Sequence, residues 1–183
     1  MILRPWLRKC VLAIHLSCSV GWLGAVVAYL ALDLTVATSD TAHVVRAAWI
    51  SMALVASYAI VPLAFGALLT GVAMGLGTKW GLFRHWWVLI SLLLTVLAIL
   101  VLLSEAGVIS RSAAVAATST RWAELRSLPS TLPHSVGGLL VVLVIQVMNV
   151  YKPAGLTPYG WRKVKEERTR RERGAPTSRT PGR

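Results

Sequence analysis

Residues 10–32 read CVLAIHLSCSVGWLGAVVAYLAL. These 23 residues carry no formal charge, and at about 1.5 Å rise per residue they are enough to cross a bilayer once. A plain anchor needs only apolar side chains. This run also holds Cys10, His15, Cys18 and the small-aromatic cluster Gly21-Trp22-Leu23-Gly24. Three more apolar runs follow, so spans are expected at about 10–32, 44–74, 86–103 and 134–151. The chain therefore reads as all-α: a four-helix transmembrane bundle over residues 1–161, then a basic, partly disordered tail over 162–183.

The composition agrees. Of the 183 residues, 56% are hydrophobic and 14% charged, with a mean hydropathy of +0.66. A soluble domain averages about a quarter charged. A multi-pass protein of the cell membrane is expected, and a single bundle rather than two domains. The net charge is +12, but ten of the 19 Lys and Arg lie after Tyr151. That is a basic tail on a membrane protein, not a nucleic-acid-binding domain, and its expected partners are anionic lipids. Arg outnumbering Lys amid abundant Ala, Val and Leu suits a GC-rich bacterial genome. Cys10 and Cys18 lie about 12 Å apart along a helix, too far to bond each other. The basic start at Arg4, Arg8 and Lys9 precedes a run too long for a signal peptide, with no clean cleavage site, so it is read as the first span.

Four spans put both termini on one side. Arg4, Arg8, Lys9, Lys79, Arg84 and the tail fall there. The other side holds Asp33, Asp40, Glu105 and Glu124 against Arg46, Arg111, Arg121 and Arg126, four acids and four bases that sum to zero. Basic residues stay cytoplasmic, so both termini are expected inside. Asp33 and the 38–41 cluster are expected to end the first helix. Pro62 should kink or tilt the second. Trp80, Trp86 and Trp87 suit an interfacial aromatic belt. The Ala-rich stretch 110–127 suggests a surface helix, and Glu105 a solvated loop end.

Two stripes run along the first helix. His15, Cys18, Ser19, Trp22, Val26 and Tyr29 offer polar and aromatic tips. Ser17, Gly21, Gly24 and Ala28 form a smooth face nearly opposite, and Gly71 and Gly75 in the second span allow similar close packing. These glycines are the candidate contacts for a homo-oligomer or membrane partner. His15 is the sharpest residue. It lies about 9 Å beyond Lys9, where an imidazole must be paired or act as a ligand. Topology places His85 at a similar depth on the third helix, and His43 and His134 near the other face. Matched imidazoles on facing helices are what a bis-histidine haem site requires. Ser91 and Thr95 are expected to bond their own helix carbonyls. Gln146 and Asn149 could bond between helices. No catalytic constellation stands out, with no Ser/His/Asp set, His-Glu-x-x-His, Walker loop or Cys-x-x-Cys, and no acidic residue lies mid-membrane, so a proton- or sodium-coupled transporter has no obvious ion carboxylate.

His15 with Gly21-Trp22-Leu23-Gly24, then the stretch 80–89 (WGLFRHWWVL), then 150–160 (VYKPAGLTPYG), resembles a family of small predicted integral membrane proteins of unknown function. The resemblance covers about residues 8–162. It is similar, more distantly, to the copper-resistance D-type membrane proteins and to the haem-containing protoporphyrinogen oxidase membrane family. For the latter it implies that His15 is a haem ligand or an essential residue, with haem b as the candidate cofactor. Those families often carry a lysine shortly after the Trp opening the third helix. Ser91 stands there in this chain and cannot supply that charge. The expected function is a multi-pass membrane protein with a haem or metal site near the cytoplasmic face, built on His15 and His85. The alternatives are a non-catalytic scaffold or partner subunit and a small-molecule or metal permease.

Overall fold

The computed structural model describes residues 4–78 and 81–174. Lys79 and Trp80 lie outside the described residues, as does the tail from 175 on. Helix α1 is Pro5–Thr38 and α2 is Ala42–Val55; a π-helical segment, Ala56–Ile60, leads into α3, Val61–Gly77. Then come α4 (Trp86–Thr118), α5 (Trp122–Arg126), α6 (Leu132–Tyr151) and α7 (Pro158–Gly174). Among the described residues, four helices are long and apolar enough to span a membrane: Pro5–Thr38, Ala42–Gly77, Trp86–Thr118 and Leu132–Tyr151. The protein is an all-α, multi-pass membrane bundle.

Helix α1 packs against α2, α3 and α6, and α4 closes the bundle against the same three. The core is built on Trp49, Met52 and Val45 of α2, each 1% exposed or less. From α1 it takes Trp22, Val26 and Tyr29, from the same stripe as His15. Bilayer solvent explains the rest of the pattern. Helix α4 turns Leu93, Leu97 and Leu100 outward while Ser91, Thr95 and Ser112 are buried. Polar groups shun hydrocarbon more than leucine does, so they line helix contacts.

Three expectations are corrected. First, α1 does not stop at Asp33 but runs on to Thr38. Asp33 is 2% exposed, and its carboxyl oxygens accept hydrogen bonds from Thr131 (2.9 Å) and Ser135 (2.7 Å) at the start of α6. A carboxyl group with two hydroxyl donors can be buried where a bare one cannot. Second, most of the Ala-rich stretch continues α4 to Thr118. Ile109, Ser112 and Ala116, spaced by three and four, are buried on one helix face. Third, Glu105 is not a free loop carboxylate. Its side chain is 22% exposed and lies 3.5 Å from His134 Nε2.

Pro62 sits in the first turn of α3, directly after the π segment. There the Val61 N–H reaches the Ala56 carbonyl, five residues back. The wider turn absorbs the missing N–H and ring clash that proline brings to a helix.

The loop ends are tied by polar contacts. Arg46 donates to the Ser119 carbonyl at the end of α4. Arg126 pairs with Asp40 at 2.6 Å. The Ser119 hydroxyl, with Arg121 next, holds the Glu124 carboxyl below its ordinary value. This tie is complete above the ordinary carboxylate range and lost as pH falls through the lowered value.

Substituting Asp33 by Ala should strip the buried Thr131 hydroxyl of its acceptor and leave Ser135 only the Leu132 carbonyl, 3.0 Å away. We expect about 2 kcal/mol of destabilisation, read as a lower thermal midpoint in detergent. Asp33→Asn, which keeps one carbonyl oxygen, should lose less.

Candidate functional site

His15 is held between α1 and α3. Its Nδ1 lies 3.1 Å from the Ala67 carbonyl and 3.0 Å from Thr70 Oγ1. The tautomer follows from the partners. The Ala67 oxygen can only accept. The Thr70 hydroxyl donates its own proton to the Gly66 carbonyl at 2.5 Å, so toward His15 it also accepts. The shared proton therefore sits on Nδ1, and in the neutral ring Nε2 keeps its lone pair. Two features of α3 allow this seat. Gly71 leaves room for the ring, since a Cβ there would stand 3.2 Å from His15 Cε1. Gly66 likewise admits Cys18, whose sulfur would be 2.7 Å from an added Cβ.

His15 lines a cavity of about 360 Å³ between α1, α3, α4 and α6. Much of the wall is apolar, from residues such as Leu16, Leu68 and Leu92, and the polar groups come from different helices. Ser19 is on α1, Ser91 and Thr95 on α4, and Gln146 and Asn149 on α6, with Lys152 at the end of α6. Thr95 bonds its own helix at the Ser91 carbonyl (2.8 Å), as expected. Ser91 does not follow: its hydroxyl is buried and has no hydrogen-bond partner. Lys152 caps α6 in the left-handed conformation, φ 46°, a rare backbone for a side-chain-bearing residue.

The other candidate residues separate. His85 precedes α4 and pairs with Leu156 in a single antiparallel bridge; it is not among the cavity's lining residues. His43 is exposed at the start of α2. His134 lines a second cavity at the opposite end of the bundle, beside Glu105. Gly21 lies against Leu63, with an added Cβ 3.3 Å away, and Gly75 against Leu82 at 2.9 Å. Gly24 is exposed, with nothing within 4 Å. Cys10 and Cys18 are free thiols.

Below the His15 cavity, the two other motif stretches clasp each other. The Thr157 hydroxyl donates to the Phe83 carbonyl at 2.5 Å and accepts from the Gly160 N–H at 3.0 Å. Thr157 is thus the N-cap of α7, with Pro158 in the favoured first position. The Thr157 N–H bonds the Arg84 carbonyl, and the Trp86 N–H the Gly155 carbonyl. A Cβ at Gly160 would run into the Arg84 carbonyl, so only glycine fits. Arg84 completes the clasp with two contacts to Glu167, at 3.1 and 3.3 Å. Apart from Glu167, the residues of this clasp lie in the stretches 80–89 and 150–160, and nothing local in either stretch announces that they pair.

Nitrogen NMR of histidine-labelled protein should find His15 as the Nδ1–H tautomer, with Nε2 unprotonated. Among the described residues, no group of three or more His, Cys, Asp or Glu could hold a metal ion. No known family model matches the chain, and neither a curated protein nor a solved structure does.

Proposed function

We propose that this membrane protein binds haem b, or a similar planar metal-bearing cofactor, in the cavity beside His15, with His15 as its one protein ligand. The observation that carries this reading is the fixed tautomer. An Nδ1–H anchored on a backbone carbonyl leaves Nε2 as a basic, oriented donor, the arrangement that ligand histidines use. One imidazole without further donors does not suit a bare metal ion. It suits a group that brings most of its own coordination. Lys152 would meet the carboxylates of such a group, and the apolar walls would cover its ring. Bound there, the group would supply one-electron chemistry. His85 has no part in this reading.

The same proposal takes both termini as cytoplasmic, because the basic residues gather at the end of the bundle that holds Lys152. The membrane domain, residues 1–161, then hands over to a basic tail, residues 162–183, although α7 begins earlier, at Pro158. Over 162–173, seven basic residues face three acidic ones, and most are exposed. Such a helix would rest on anionic headgroups. A scaffold reading is favoured by one observation: Gly24 and Ala28 leave a smooth, exposed strip on α1.

Protein purified in detergent and titrated with haem b should develop a Soret band, lost or displaced in His15→Ala and weakened in Lys152→Met. No band, or the same band in His15→Ala, would overturn the reading. Gly71→Leu should also weaken the band, because the new side chain displaces the ring.

A further inference from the structure

Among the described residues, the exposed tryptophans and tyrosines gather at helix ends: Trp6, Trp86, Tyr151, Tyr159 and Trp161. That is where an interfacial aromatic belt belongs. Tyr58 is the exception. It lies in the π segment, near the middle of the second span, Ala42–Gly77. Its neighbour Ile60 lines a cavity with Val142, which is halfway along the 20-residue α6, so both helices give the same depth. At mid-span the headgroups are about 15 Å away, half the hydrocarbon core, beyond the reach of a phenol. Yet Tyr58 is 80% exposed, turned away from the bundle.

The turn around Tyr58 is also short of a hydrogen bond. The Ser57 carbonyl would accept from the Val61 N–H in an α-helix and from residue 62 in a π turn. The Val61 N–H goes to Ala56 instead, and residue 62 is a proline, which has no N–H. Ser57 is exposed as well. A donor and an acceptor thus stand on adjacent residues of the lipid face, and acyl chains can partner neither. The ground beside them is low. Helix α1 packs against the π segment, and Gly21 meets Leu63, so Gly24 and Ala28 come level with that segment. Both are exposed, and a Cβ at Gly24 would meet nothing within 4 Å. Small residues that admit a helix, next to polar groups that can bond it, are how helices associate in lipid.

We propose that two copies of this chain pair through this face, the Tyr58 hydroxyl of each donating to the Ser57 carbonyl of the other. A second copy is the partner because the face is complementary to itself. Two copies inserted in the same sense carry donor and acceptor at the same depth, and a two-fold axis along the membrane normal forms both bonds at once. A different subunit would have to bring its own donor and acceptor to that depth. The pairing is independent of the haem reading, and it gives the exposed strip of α1 a partner.

The test uses the full chain in liposomes, with copies labelled at the N-terminus by a donor or an acceptor dye, and reads energy transfer as lipid is added. Transfer that falls with dilution along a dimer curve is expected. Tyr58→Phe keeps the ring and loses the proton, and should raise the dissociation constant about tenfold for the two bonds lost per pair. Tyr151→Phe, at a tyrosine 79% exposed, should change nothing. A photo-reactive benzophenone side chain in place of Leu54, one turn before Tyr58, should cross-link to the second copy, and one in place of Leu93, on the outer face of α4, should not. Three outcomes would each overturn the proposal: no transfer at any lipid ratio, an unchanged dissociation constant in Tyr58→Phe, or cross-linking from position 93 and not from 54. Tyr58→Phe leaves the core untouched, so a weaker pair does not report misfolding.

Discussion

Hydrocarbon is a solvent that accepts leucine and rejects hydroxyls, and that preference orders the whole bundle. Each buried polar group must find its partner inside the protein. Asp33 finds two hydroxyls on α6, and His15 finds a carbonyl and a hydroxyl on α3. These contacts tie α1 to two different helices, one near each end. Between them the apolar stripe Trp22, Val26 and Tyr29 fills the centre. Helix α1 is therefore pinned at both ends by polarity and filled in the middle by volume.

Among the described residues a few buried polar atoms stand outside that rule, the Ser91 hydroxyl and the Trp49 indole N–H among them. The bundle holds two cavities, one toward either end. The two cavities differ in character. The one beside His15 mixes a lysine, amides and hydroxyls with aliphatic walls. The one beside Tyr29 is nearly all hydrocarbon with a polar tip.

The four spans were legible from their length and lack of charge, because lipid imposes both directly. The buried stripe on α1 was legible as well, since its spacing follows the helical period. Asp33 was not. A carboxylate after an apolar run reads as a stop, and nothing local says that Thr131 and Ser135, about a hundred positions on, will receive it. His15 stood out as an imidazole inside a span, yet its seat depends on Gly71 and Thr70 of another helix. The expected pairing with His85 rested on depth alone. Depth fixes height in the membrane but not azimuth around the bundle, and His85 instead belongs to the clasp with Leu156.

The π segment before Pro62 has a geometric effect well beyond that proline. Helical residues advance by about 100° each, so one residue more or fewer turns everything downstream by that angle. Across the segment, Met52, Ala56, Ile60 and Ala64 recur at intervals of four and all stay buried. The wide turn works as a rotational spacer, setting the phase of α3 against α1. Were it a plain α-helical turn one residue shorter, Ala67 and Thr70 would swing out of reach of the imidazole. The orientation of one histidine near the start of the chain is thus decided by a single surplus residue some forty positions later, in a segment that touches no part of the cavity the histidine lines.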